Sequence, residues 1–185
     1  MTRVIAGSAR GRRLQVPSGT TTRPTSDRAR EGLFSSLQSL LDLEGARVLD
    51  LYAGSGALGL EALSRGAGSA TLVELDPDAV VVLRANAALL GPSAHVVPQP
   101  VERFLAVDAE PRYDLALLDP PYEPDAVPVL EQLLLWLAPD AVVVVERRTR
   151  GTELRWPEGY EPVRERRYGE ATLWYARRAL LASRA

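Results

Sequence analysis

The sequence DLYAGSGALG, residues 50–59, joins the end of a short apolar run to the start of an apolar helical pattern. Gly54, Gly56 and Gly59 have the G-x-G-x-x-G spacing, which permits a tight turn and a close approach of a ligand to the backbone. A strand, a glycine turn and a helix in this order are typical of an open, mostly parallel α/β sheet. The stretch therefore predicts both the fold class and the place where that fold binds a cofactor.

The alternation of strands and helices continues along the chain. Strand patterns are predicted at 47–51, 69–74, 94–98, 113–118 and 141–146, and helical patterns at 57–65, 77–90, 101–107 and 126–137. This order predicts a parallel, doubly wound sheet. Residues 163–168 and 171–176 flank Gly169 and predict a closing antiparallel hairpin. The predicted fold is α/β, with a seven-stranded sheet that includes this hairpin.

The N-terminus has a different composition. Residues 1–30 carry seven arginines and one acid, a charge of +6, whereas the remaining 15 arginines and 23 acids give −8. Short strands at 3–6 and 12–16 predict a β-hairpin, and a helix is predicted at 27–41. We predict that residues 1–20 form a basic hairpin extension and residues 21–185 the main domain. A basic extension on an acidic domain indicates a polyanionic partner.

Composition excludes several classes of protein. The chain has 185 residues, of which 46% are hydrophobic and 25% charged, as expected of a globular domain. It has no cysteine and one histidine, so disulfides, thiol nucleophiles and cysteine- or histidine-rich metal sites are excluded. No apolar stretch is long enough to span a membrane, and no signal peptide is evident. We expect a cytoplasmic monomer without a metal or a membrane partner.

The glycine turn is compatible with two cofactors. Its spacing, with Glu74 about 20 residues after Gly54, also matches NAD-binding sequences. Asp50 stands directly before the turn, where a carboxylate would repel a pyrophosphate and attract the ammonium group of S-adenosylmethionine. Glu74 suits either cofactor, because it would accept hydrogen bonds from ribose hydroxyls. S-adenosylmethionine is therefore favoured, and an NAD(P)-dependent oxidoreductase is the alternative from another class.

Two further residues follow later strands. Asp76-Pro77 is predicted to be the N-cap of the next helix rather than a cofactor ligand. Gln99 stands after the third sheet strand and is a candidate for the adenine contact. The predicted cofactor contacts in this part of the chain are Asp50, Ala53, Gly54, Gly56, Glu74 and Gln99.

The second informative stretch is Asp119-Pro120-Pro121-Tyr122, which follows the apolar run 113–118. Proline has no N–H group, so the Asp119 side chain and the Pro120 carbonyl are acceptors without adjacent donors. Together they can hold both hydrogens of an –NH2 group, while the Tyr122 ring stacks on a planar heterocycle. This predicts methyl transfer to the exocyclic amine of a base, with Asp119, Pro120 and Tyr122 as catalytic residues. A simple strand-terminating loop is the structural alternative, and adenine, cytosine and guanine all present such an amine.

The two stretches together resemble the amino-group N-methyltransferases of nucleic acids. With residues 3–7, 10–14, 23–28 and 50–62, the likeness extends over nearly the whole chain and narrows to the bacterial 16S ribosomal RNA guanine-N2 methyltransferases. The resemblance implies methylation of one guanine of small-subunit rRNA, within partly assembled subunits. An adenine or cytosine amino-methyltransferase on DNA or other RNA is the alternative from the same class.

The resemblance also assigns residues. It places Arg23 and Thr25 beside the methionine end of the cofactor and the N-terminal hairpin on RNA. Arg10, Arg12 and Arg13, at and beside the hairpin tip, are the predicted RNA contacts; a solvated charged hairpin is the alternative. The chain departs from the family pattern at Gln99-Pro100, where Asp-Ala is common, so the residue predicted to contact adenine differs from that of the family.

Overall fold

The computed structural model describes residues 2–17, 26–107, 112–120, 126–151 and 153–179. Its helices are α1 (Asp27–Leu37), α2 (Ala57–Ser64), α3 (Pro77–Ala88), α4 (Val101–Leu105) and α5 (Val127–Leu133). Its strands are β1 (Thr2–Arg3), β2 (Arg13–Leu14), β3 (Arg47–Leu51), β4 (Ser69–Glu74), β5 (Ala94–Pro98), β6 (Tyr113–Leu118), β7 (Leu137–Arg148), β8 (Tyr160–Tyr168) and β9 (Ala171–Arg178).

Seven strands of the described residues form one sheet in the order β5-β4-β3-β6-β7-β9-β8. The first five strands in this order are parallel, and β9 is antiparallel to both of its neighbours. The chain moves outward from β3 to β5 and then returns to place β6 on the other side of β3. The carboxyl ends of β3 and β6 therefore flank the topological switch point, where doubly wound sheets bind ligands. The predicted α/β fold and its closing hairpin are confirmed.

Helices cover both faces of the sheet and create two apolar cores. Residues from α1, α2, α3 and the N-terminal hairpin pack on one face, which we call face A. Residues from α4 and α5 pack on the opposite face, face B. Because side chains alternate along a strand, Val48 and Leu117 point to face A, whereas Leu49 and Leu118 point to face B. This alternation decides which polar side chains meet beyond the strand ends.

Strands β3, β4, β5 and β6 match their predicted bounds, whereas α1, α5 and β7 differ from theirs the most. Helix α1 ends at Leu37 rather than at residue 41. Helix α5 ends at Leu133 and continues as a 3-10 turn, and β7 begins at Leu137 instead of 141. The Trp136 ring stacks on Phe104 at 4.6 Å between ring centroids and lies 6.3 Å from Tyr113. Trp136, which the local pattern assigned to a helix, is thus held by tertiary packing instead.

The N-terminal hairpin packs tightly on helix α2. Its paired strands are shorter than predicted, because the Ile5 and Ala6 N–H groups donate to the Glu61 carboxylate, at 2.7 and 3.0 Å, instead of to a strand. Gly7 has φ +83°, and a Cβ there would lie 1.7 Å from the carbonyl oxygen of Ser64. Only glycine permits this approach. The domain boundary at residue 20 stays a prediction, since it falls outside the described residues.

None of the helices in the described ranges is long and apolar enough to span a membrane.

Candidate active site

The glycine turn between β3 and α2 is built from left-handed backbone. Tyr52, Gly54 and Gly56 have φ values of 62°, 54° and 79°. A Cβ on Gly56 would lie 2.5 Å from a Leu83 methyl carbon, and one on Gly59 would lie 2.3 Å from a Leu72 methyl carbon. The glycines therefore serve the turn and the close packing of α2 on the sheet, as the fingerprint predicts.

Asp50 lies behind this turn at the end of β3 and is only 2% exposed. Its Oδ2 accepts a hydrogen bond of 2.8 Å from the Gly59 N–H, which fixes the first turn of α2. Burial raises the pKa of Asp50 to about 7; the Gly59 N–H opposes this shift and the Glu74 charge adds to it. Asp50 thus has a structural bond, and its predicted attraction of an ammonium group stays a prediction.

Glu74 connects the glycine turn to the loop after β4. Its Oε2 accepts from the Gly54 N–H at 2.7 Å, and its Oε1 accepts from the N–H groups of Leu75 and Asp76 at 2.8 and 2.9 Å. An ionised carboxylate has about four acceptor sites. The three backbone bonds therefore hold the side chain in place and leave capacity for a ribose hydroxyl.

Asp76 is the N-cap of α3, as predicted. Its carboxylate accepts from the N–H groups of Asp78 and Ala79 at 2.8 and 3.0 Å, with Pro77 in the first turn. Gln99 follows β5 and is partly buried. Its place after the third sheet strand agrees with the predicted position, and its adenine contact stays a prediction.

Asn86 supports the turn from helix α3, and sequence reasoning missed it. Its side-chain amide donates to the carbonyl oxygens of Ser55 and Gln15 at 2.9 and 3.0 Å, and its Oδ1 accepts from the Gln15 N–H at 2.9 Å. The residue is 1% exposed. An amide on the otherwise apolar face of α3 was the available signal, because a buried polar group needs such partners.

Asp119 lies at the end of β6, directly beside β3. Leu51 pairs with Leu118, and the Asp119 N–H donates to the Leu51 carbonyl at 3.4 Å. In the described part of the chain no donor is hydrogen-bonded to the Asp119 carboxylate. Burial, followed by the charges of Glu146 and Asp50, raises the pKa of Asp119 well above its ordinary value. A half-buried carboxylate of this kind is suited to accept from an incoming N–H donor.

The structure thus brings Asp50, Gly54, Glu74 and Asp119 together at the carboxyl ends of β3, β4 and β6. Pro120 follows Asp119 and is partly buried. Four residues with predicted roles or in the predicted tetrad, Arg23, Thr25, Pro121 and Tyr122, lie outside the described residues.

Arg10, Arg12 and Arg13 are exposed on the N-terminal hairpin. A nitrogen of Arg12 donates to the Leu89 carbonyl at 2.5 Å and so has a role in the fold. The side chains of Arg10 and Arg13 make no hydrogen bond or ion pair within the described ranges. They are therefore available to a polyanion.

Comparisons with known proteins agree with this geometry. The chain is 39% identical over 172 residues to ribosomal RNA small subunit methyltransferase D of Escherichia coli K12, covering 91% of this chain and 85% of that protein. It is 38% identical over 151 residues to the putative rRNA methyltransferase YlbH of Bacillus subtilis, covering 78% of this chain and 81% of that protein. The first relative bears out the small-subunit rRNA methyltransferase family that the sequence resembles, and the second is named for rRNA methylation in general.

A solved structure gives the same result. The putative methyltransferase yhhF from Escherichia coli superimposes with a TM-score of 0.84 and 37% identity, covering 96% of this chain and 97% of that one. The fold is thus the Rossmann-like fold of class I methyltransferases. The family model described as Conserved hypothetical protein 95 matches residues 2–177, and the chain belongs to that family.

Proposed function

We propose that this protein transfers a methyl group from S-adenosylmethionine to the N2 amine of a guanine in small-subunit ribosomal RNA. The observation that carries the proposal is the placement of Asp119 beside the glycine turn, with its half-buried carboxylate lacking a donor from the described residues. The names of the relatives support the RNA substrate. Because β3 and β6 are neighbouring parallel strands, the glycine turn and Asp119 lie at the same edge of the sheet and could bind the cofactor and the base in one crevice.

The residues of the turn fit S-adenosylmethionine better than NAD. The buried Asp50 lies next to the turn and disfavours a pyrophosphate there, whereas a cationic cofactor offsets its charge. Ala53, Gly54 and Gly56 would approach the cofactor through their backbone, and Glu74 would accept from the ribose. When bound, S-adenosylmethionine supplies an electrophilic methyl group.

Asp119 and Pro120 perform the remaining chemistry. Their acceptor oxygens would bind the two N–H groups of the amine and orient the nitrogen lone pair away from the base plane. An arylamine nucleophile is weak because its lone pair is delocalised, so this orientation and the fixed acceptors provide most of the acceleration. A strong base is not required, because the amine proton becomes acidic once the new N–C bond forms.

The pKa of Asp50 provides a test of its cofactor role. A bound ammonium group favours the carboxylate, so binding must release the proton that Asp50 holds below its pKa of about 7. The affinity for S-adenosylhomocysteine should therefore rise about eightfold between about pH 6 and pH 7.5. Calorimetry at each pH would measure it. Asp50→Asn keeps an acceptor for the Gly59 N–H and should abolish this pH dependence. If the affinity of the variant changes with pH as that of the wild type does, Asp50 does not bind the ammonium group.

The second test concerns RNA binding by the arginines of the N-terminal hairpin. Lysine or arginine contacts to phosphate release counterions, and each contact adds roughly 0.7 to 0.9 to the slope of log affinity against log salt. Arg10→Gln with Arg13→Gln should therefore lower this slope by about 1.5, measured by filter binding to small-subunit RNA. Arg103→Gln with Arg155→Gln, two exposed arginines on segments that pack on face B, is the control. Equal slopes for both pairs would mean that the hairpin is only a solvated surface.

The decisive experiment maps modified nucleosides in the small-subunit RNA of cells with and without this protein. Purified protein and S-adenosylmethionine should restore one N2-methylguanosine, on free RNA or on small-subunit particles; comparison of the two substrates tests the proposed action on an assembling particle. Sedimentation of the purified protein tests the proposed monomer, and fractionation of cells tests the proposed cytoplasmic location. A modified adenine or cytosine would favour the same-class alternative, and tight NAD binding without S-adenosylhomocysteine binding would favour an oxidoreductase.

A further inference from the structure

A second carboxylate lies beside Asp119, on a strand that the motifs did not mark. Strands β6 and β7 are parallel, and their register pairs Leu117 with Val144 and Leu118 with Val145. The next residue after Leu118 is Asp119, and the next residue after Val145 is Glu146. Adjacent strands lie about 4.8 Å apart, so Asp119, just after the end of β6, and Glu146, within β7, lie side by side.

The alternation of side chains places both carboxylates on the same face. Leu117 and Val144 pack in the core of face A. Asp119 and Glu146 each follow two residues later, so their side chains are directed to face A as well. Asp50 occupies the equivalent position two residues after Val48 on β3. The influence of the Glu146 and Asp50 charges on the pKa of Asp119 agrees with this proximity.

Two adjacent carboxylates match one nucleobase. The Watson–Crick edge of guanine presents the N2 amine and, next to it, the N1–H group. Both groups are hydrogen-bond donors. Adenine and cytosine also present an amine, but the adjacent ring nitrogen of each carries a lone pair. A carboxylate beside the amine-binding acceptor would therefore bind guanine and repel the other two bases.

We propose that Glu146 determines the base specificity by accepting the N1–H of the target guanine, while Asp119 and Pro120 accept from N2. This inference rests on the proposed function and explains a choice that Asp119 to Tyr122 leave open, since all three bases have an exocyclic amine. Glu146 is partly buried, and its carboxylate has about four acceptor sites, so it can bind N1–H alongside its contacts within the protein.

The test uses RNA in which the mapped guanine is replaced by 2-aminopurine. This base keeps the amine at C2 but has a lone pair at N1 and no O6. Because a site built for a donor rejects an analogue that lacks it, the wild-type protein should methylate guanine at least ~100-fold more efficiently than 2-aminopurine, as kcat/KM. Glu146→Gln should lower kcat/KM for guanine at least ~10-fold and change it little for 2-aminopurine. The loss of O6 affects both proteins equally and cancels in the ratio.

The ratio separates recognition from support of the fold. If Glu146 only positions other residues, Glu146→Gln lowers both activities by the same factor, and that result would overturn the inference. Glu161 is an exposed glutamate on β8, near the end of that strand that lies away from Glu146. Glu161→Gln should leave both activities unchanged. Glu146→Asp provides a second readout if the glutamine variant does not fold: its shorter side chain should give an intermediate ratio, and a wild-type ratio would also overturn the inference. Failure of the wild-type protein to methylate any guanine would instead contradict the proposed function.

Discussion

Asp119→Ala should lower kcat for methyl transfer at least about 1,000-fold while changing the affinity for S-adenosylmethionine only a few-fold. The substitution removes an acceptor that the amine requires during the reaction, and it leaves the Gly59 bond of Asp50 and the backbone bonds of Glu74 intact. Single-turnover kinetics and calorimetry on the same preparation would measure the two effects separately.

The same substitution should stabilise the protein. Burial raises the pKa of Asp119 above 3.8, so the folded state binds the proton more tightly than the unfolded state. Between these two pKa values the stability therefore falls as the pH rises, and the charged carboxylate is a cost to the fold near neutral pH. Asp119→Ala should raise Tm near pH 7.5 and have little effect on it below about pH 4, where both states are protonated.

Asp119→Asn is the matched comparison. The amide keeps one acceptor oxygen without the charge, so it should retain more activity than the alanine variant and gain a similar stability. An alanine variant that stays active would eliminate Asp119 as the acceptor of the amine. A variant that loses activity together with cofactor binding would indicate damage to the turn instead.

Local patterns predicted the interior of this sheet well for a physical reason. Parallel strands that are buried on both faces are short apolar runs bounded by turn residues, so 47–51, 69–74 and 113–118 were visible from the sequence alone. The start of β7 was not visible from the sequence, because it depends on the stacking of Trp136 on Phe104, which is distant in sequence.

The candidate site was predictable to the extent that its residues are adjacent in the chain. The turn at 50–59 and the Asp119 tetrad carry their chemistry in consecutive residues. Glu146 and Asn86 do not, because their positions depend on the strand order and on the packing of α3 on the turn. The Gly59 bond of Asp50 was missed for the same reason: it joins a strand end to a helix nine residues later.

Glu61 illustrates this dependence on tertiary structure most strongly and leads to the second large prediction. It lies on α2 and is 0% exposed, although its sequence context suggests an ordinary helical glutamate. Its carboxylate accepts from the N–H groups of Ile5 and Ala6 and from Arg65 Nε at 2.7 Å. This side chain thus joins two backbone N–H groups of the N-terminal hairpin to α2.

Glu61→Ala should therefore lower the free energy of unfolding by about 3–5 kcal/mol, because it leaves two amides and the partly buried Arg65 guanidinium without their acceptor. For a chain of this size the loss corresponds to a decrease in Tm of roughly 6–20 °C, measured by calorimetry. Glu31→Ala, an exposed glutamate on α1, should change Tm little. A Tm within about 2 °C of the wild-type value would show that the three bonds contribute little net stability.

The loss should be concentrated at the hairpin, and this distinguishes docking from general support of the core. Amide hydrogen exchange at Ile5 and Ala6 should accelerate more than exchange in β3, which lies in the centre of the sheet.

Because the hairpin carries Arg10 and Arg13, its release should weaken RNA binding more than cofactor binding. Deletion of residues 1–16 would not separate these effects, since it also removes Val4 and Leu14 from the core of face A. Glu61→Ala combined with the Arg10→Gln and Arg13→Gln pair should then weaken RNA binding by less than the sum of the separate free-energy losses, because both changes act through the same hairpin.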